Sequence, residues 1–146
     1  MKNILLKIIV IMLIFIGSVS SCKNDDIDYS NIENLYAQPL PVIQKCVEGK
    51  WEEIAVFGGY AGVSYSKNMF VDIYNDHCIM TLQDGSQIIT YYTWKEYTID
   101  DMGYKTWVMW DNESNQVFRY FIAIKNDTLG VGLPLKYFTS SYKRIK

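Results

Sequence analysis

The stretch "QVFRYFIAIKNDTLGVG", Gln116 to Gly132, consists of two β-branched and aromatic runs joined by Asn126-Asp127. Asn and Asp tolerate the left-handed backbone that a tight two-residue hairpin demands, so the stretch reads as two antiparallel strands. Phe118, Tyr120, Ile122 and Ile124 alternate with Arg119 and Lys125, which predicts one buried and one solvated face. Met69, Val71 and Ile73 alternate in the same way with Phe70, Asp72 and Tyr74.

The pattern extends in both directions. Strands are expected at 50–60, 68–74, 77–83, 87–99, 104–110, 116–125, 128–133 and 137–145, eight in all. No stretch between them is long enough for a helical crossover, so the sheet should be antiparallel. Eight short-linked strands can close into an up-and-down barrel, which removes exposed edges; a two-sheet sandwich is the rival arrangement. Residues 41–48 fit one short helix: Pro41 opens it, Val42, Ile43, Cys46 and Val47 share a face, and Gly49 stops it. Turns of such a barrel alternate between two ends. Asn75-Asp76, Asp100–Gly103 and Asn126-Asp127 fall with the helix at a closed end. The 61–67 segment, Asp84-Gly85, Asp111–Asn115 and Pro134–Lys136 fall at the mouth. In the first strand, Trp51/Glu53/Ala55/Phe57 and Glu52/Ile54/Val56 both carry apolar residues and a glutamate, so its inward face stays open.

The N-terminal part speaks of address. Lys2 and Lys7 precede nine apolar residues, Ile8 to Ile16, and Gly17, Ser18, Ser20 and Ser21 follow. A positive start, a short apolar run and a small-residue boundary describe a secretory signal peptide. A run that short covers about half of a ~30 Å hydrocarbon core, which argues against a transmembrane span. Val19-Ser20-Ser21-Cys22 resembles the lipobox of bacterial lipoproteins, in which the cysteine is acylated and becomes the first mature residue. The organisation expected is a signal peptide at 1–21, a flexible lipid-anchored tether with some local order at 22–40, and a barrel at 41–146. Acyl chains contribute about 0.8 kcal/mol per buried methylene, so several together hold a protein on a membrane through Cys22. Lys23 at the next position implies outer-membrane sorting. Lys23, Asp25 and Asp26 also resemble export tags of surface-displayed lipoproteins, so the periplasmic face and the cell surface both remain open.

Without residues 1–21 the chain loses Lys2 and Lys7 and carries a net charge near −4. Binding to nucleic acid is not expected of such a chain. All 12 Tyr and all 4 Trp lie in the remaining part, enough aromatic surface for a real core. Cys46 and Cys78 can pair in an oxidising envelope, because topology puts the helix and the start of the third strand at the same end. Both can equally be small buried apolar residues.

Gly49-Lys50-Trp51 opens the first strand, and Tyr142-Lys143-Arg144-Ile145 closes the last. Together with the helix and the strand count, this resembles the lipocalin and calycin superfamily, and more closely the lipocalin-like lipoproteins of Gram-negative bacteria. The resemblance covers about residues 41–146. It implies an eight-stranded antiparallel up-and-down barrel with a short N-terminal helix at its closed end. It also implies that Gly49, Trp51 and Arg144 form a structural signature, with the late arginine packed across the tryptophan. A clear T-D-Y motif is lacking and the loops are short, so the large pocket of vertebrate lipocalins is not implied. A guanidinium over an indole would stabilise the barrel floor by about 0.5–2 kcal/mol.

The function expected is binding of a small apolar or amphipathic ligand at the mouth, with Phe57, Tyr60, Tyr65, Tyr92 and Trp110 as candidate contacts. Gly58-Gly59 can serve that loop or simply mark a strand-bending bulge. The alternative is a protein-interaction lipoprotein with a packed barrel and an envelope protein as partner. No nucleophile elbow, zinc-protease motif, P-loop or dinucleotide fingerprint occurs, so neither enzyme nor cofactor is expected. Cys46, His77 and Cys78 lack the paired spacing of a metal site. Glu52, Glu53 and Asp72 are carboxylates whose separation the sequence hides. Asp127-Thr128-Leu129 resembles an envelope O-glycosylation signal, with Thr128 as acceptor.

Overall fold

The computed structural model describes residues 27–58, 62–65, 68–99, 103–133 and 138–146. The signal-peptide boundary, Cys22, Tyr60, Gly59 and Pro134–Lys136 lie outside these residues. The described chain is predominantly antiparallel β with one short helix, α1 (Leu40–Val47). Ten strands form one sheet. They are β1 (Asn31–Ile32), β2 (Gly49–Phe57), β3 (Val63–Ser64), β4 (Phe70–Ile73), β5 (His77–Thr81), β6 (Gln87–Ile99), β7 (Tyr104–Asp111), β8 (Gln116–Lys125), β9 (Thr128–Gly132) and β10 (Thr139–Arg144). The eight expected strands are present. The short β1 and β3 are additional, because two residues carry no periodicity to read.

Pairing runs β8-β7-β6-β5-β4-β2-β10-β9, and β9 pairs in turn with β8. Each of these eight strands therefore has a neighbour on both sides. β1 adds to β8 and β3 adds to β2. Asn126 and Asp127 both adopt positive φ, 50° and 59°, as the tight β8–β9 hairpin requires. Around β1 the expected tether is already docked. Leu35 is fully buried in the core, and Tyr36 stacks on Tyr104 with ring centres 4.2 Å apart. The local order anticipated there is thus tertiary.

One face of the sheet carries the core, built on Trp51, Val71, Ile73, Cys78, Met109, Phe121, Ile124, Leu129 and Val131, with Ile43, Cys46 and Val47 of α1 packed over one end. Two slips in register decide which side chains reach it. In β8 the pairing to β9 shifts between Phe121 and Ala123, so Arg119 and Phe121 face the core upstream of the slip and Ile124 downstream. The expected row Phe118–Tyr120–Ile122–Ile124, with Arg119 opposite, is corrected accordingly: a one-residue insertion reverses the faces. In β2 the pairing to β10 shifts between Ala55 and Glu53. Trp51 and Glu53 face the core before the slip. After it, Val56 pairs Ser140, which in turn pairs the buried Val131, while Phe57 pairs Thr139 on the other face.

Close approach fixes one glycine. Tyr120 lies over Gly132 so tightly that an added Cβ would sit 2.0 Å from the ring.

Candidate functional site

Two arginines organise the two ends of the core face. At the helix end, Arg144 pairs Trp51 in register and lies 4.2 Å over its indole ring. Its Nη1 donates to the Glu48 carbonyl at 3.0 Å and its Nη2 to the Cys46 carbonyl at 2.7 Å, while Nε stands 3.4 Å from an Asp127 carboxylate oxygen. The indole Nε1 donates to the Val47 carbonyl at 2.8 Å. The last carbonyls of α1, which the helix itself cannot satisfy, are thereby held by a cation at the negative end of the helix dipole. Gly49 fits beneath, at φ 120°, with Arg144 Nη1 only 3.4 Å from where a Cβ would stand. The expected stacking of Arg144 on Trp51 is present.

The neighbouring turns agree. Gln44 of α1 donates to Asn75 at 2.9 Å, and Asp127 accepts the Arg144 backbone N–H at 2.9 Å, so both turns lie at the helix end as expected.

Further along the core face, Arg119 is only 5% exposed. Its Nη1 donates to the Tyr142 hydroxyl at 2.8 Å, and that hydroxyl donates to Glu53 Oε1 at 2.9 Å. Glu53 and Tyr142 are buried too, and burial pushes the Tyr142 phenol above its ordinary range. Among the described residues Arg119 Nε has no hydrogen-bond partner, while the buried Ser140 Oγ lies within reach of the Tyr142 phenol. Beside the trio is a cavity lined by Val71, Met69 and Met80, leaving about 10 Å³ in which the centre of a water can sit. From there the core face opens. The cross-strand row Trp51–Val71–Met80–Ile88 starts fully buried and ends at Ile88, 47% exposed.

The mouth candidates do not converge on this site. Phe57 is 39% exposed on the face away from Ser140. Tyr65 is 78% exposed. Trp110 lies on the outer face, under the Lys95 ammonium at 4.3 Å and beside Tyr97, with its indole N–H on Asn115 at 3.0 Å. Tyr92 belongs to the helix end: its hydroxyl donates to the Tyr74 carbonyl and its backbone N–H to Asp76. The reason is stagger. β6 pairs β5 through its first half and β7 through its second, so Tyr92 meets Asp111 and the Asn75-Asp76 turn together. Burial places its phenol well above the ordinary range.

Cys46 and Cys78 are free thiols, both buried, so the possible bridge is not formed. Burial pushes the Cys46 thiol up to about 11 and raises Cys78 as well. His77 points away from Cys78, as successive strand residues must. It stacks on Tyr74 at 4.6 Å and bonds Asp76 at 2.7 Å, which holds that carboxyl below its usual range. Glu53 faces inward, whereas Glu52 and Asp72 lie on the other face, so Glu53 shares a face with neither. Thr128 is half-buried at the first position of β9.

At the helix end, a hollow of about 360 Å³ runs between α1, Ile73, Tyr74 and Trp94, whose buried indole N–H lacks a partner among the described residues. Among the described residues no helix is long and apolar enough to cross a membrane. Comparison with protein-family models, with curated protein sequences and with solved structures yields no match for this chain.

Proposed function

We propose that the chain is a lipid-anchored, calycin-like eight-stranded barrel that binds a small amphipathic ligand at the end away from α1. The barrel reading is supported by the pairing order, in which eight strands each have two neighbours, and by the Gly49–Trp51–Arg144 arrangement at the helix end. Anchoring through an acylated Cys22 in the outer membrane rests on the sequence of residues 8–23.

A single observation carries the binding reading: a buried guanidinium leaves its Nε–H unpartnered beside a cavity whose apolar wall leads out to Ile88. A buried donor without an acceptor costs about 1–3 kcal/mol, which a ligand oxygen would recover. Organic extraction and mass spectrometry of the mature chain released by Cys22→Ser should yield a stoichiometric lipophile. Extracts identical to those of an unrelated exported protein would refute it. Fatty-acid labelling that persists after Cys22→Ala would refute the anchor.

A second reading has its own observation. Tyr74, His77 and Tyr91 form an exposed aromatic ladder beside the hollow along α1, the kind of patch that docks a protein. Tyr91→Ala should then abolish capture of an envelope partner.

A further inference from the structure

We propose that the interior floor accepts an uncharged hydrogen-bond acceptor, such as an alcohol or ester oxygen, and disfavours a carboxylate; this rests on the ligand-binding reading above. A guanidinium only donates, so the group that meets Arg119 Nε must accept. Its charge, however, already has a counterpart. Tyr142 takes a hydrogen bond from the guanidinium and gives its own to Glu53, so a carboxylate is built into the far side of the phenol.

A ligand carboxylate would bring further negative charge into a largely buried space that already holds its own anion. An alcohol or ester oxygen satisfies the Nε–H without that cost. The room suits an oxygen and not a bulky head group. The attached chain would run along Met69 and Met80, unbranched thioethers that readily reshape, toward Ile88 at the opening.

Calorimetric titration of the mature chain carrying Cys22→Ser with octanol, methyl octanoate and octanoic acid at neutral pH tests this. The alcohol and the ester should bind, and the acid should bind about tenfold more weakly or worse. Glu53→Gln keeps an acceptor for Tyr142 and removes the internal charge, so the acid should gain about tenfold in that variant. Should this variant fail to fold, the unsubstituted protein is titrated with octanoic acid through acid pH, where affinity should climb as the ligand carboxyl is protonated. An acid that binds as well as the alcohol at neutral pH, or an affinity flat with pH, overturns the charge argument while leaving the pocket. Absence of heat with all three ligands, in a chain that melts cooperatively, overturns the binding reading itself.

Discussion

Arg144 and Arg119 occupy the same face of the same sheet and end in opposite conditions. All three nitrogens of Arg144 are engaged, by two helix-terminal carbonyls and by Asp127, and its plane covers Trp51. Arg119 is the more deeply buried, yet it leaves Nε open beside a cavity. A saturated cation explains itself as part of the scaffold. An unsaturated one inside a core needs another reason, because buried polar groups are nearly always paired. The difference separates a closed, structural end from an end with chemistry to spare.

The largest effects should come from breaking the closed end. Trp51 is fully buried, so Trp51→Ala should cost about 3–5 kcal/mol in chemical denaturation. A loss below 1 kcal/mol would mean the plug is ornamental. Arg144→Lys keeps the charge but gives up the planar fork that spans Cys46 and Glu48, and should cost about 2 kcal/mol. Gly132→Ala should cost about 1–3 kcal/mol by pushing Tyr120 off its strand, read as a lower melting temperature.

The smallest effect is alkaline. A thiol whose folded pKa is raised stays protonated while the unfolded chain ionises. Stability should therefore fall as pH rises from the ordinary thiol range through about 11, the Cys46 value. Cys46→Ala should flatten that slope, and a slope unchanged in the variant would assign it elsewhere. Both thiols should resist alkylation until the chain is denatured.

The same two arginines show what the sequence could tell. The eight strands and the helix were legible to within a few residues, because alternation and turn chemistry are local signals. Trp51 and Arg144 were legible as a pair only through the signature that Gly49-Lys50-Trp51 and the closing Arg144 resemble, since nothing local links them. The interior trio was not. Counted in phase with Ile124, Arg119 falls on the solvent side; the register slip between Phe121 and Ala123 carries it inside. A second slip, next to Glu53, shifts the phase of the first strand against its partner, while its buried residues Trp51, Glu53 and Ala55 keep to one of the two alternating sets. Such slips are settled by packing between strands far apart in sequence, and nothing local announces them. Tyr92 was misplaced for a related reason, since strand stagger depends on partner lengths that an alternation pattern does not encode.

The most direct measurement compares octanol affinity in Arg119→Lys and Arg144→Lys at a temperature where both are folded. Each variant keeps a positive charge and loses the guanidinium fork. Arg119→Lys should weaken binding about tenfold, because the Nε–H donor is gone, while Arg144→Lys should bind as the unsubstituted chain does despite its lower stability. Equal affinities in the two variants, or a loss confined to Arg144→Lys, would contradict the division between a structural and a binding arginine.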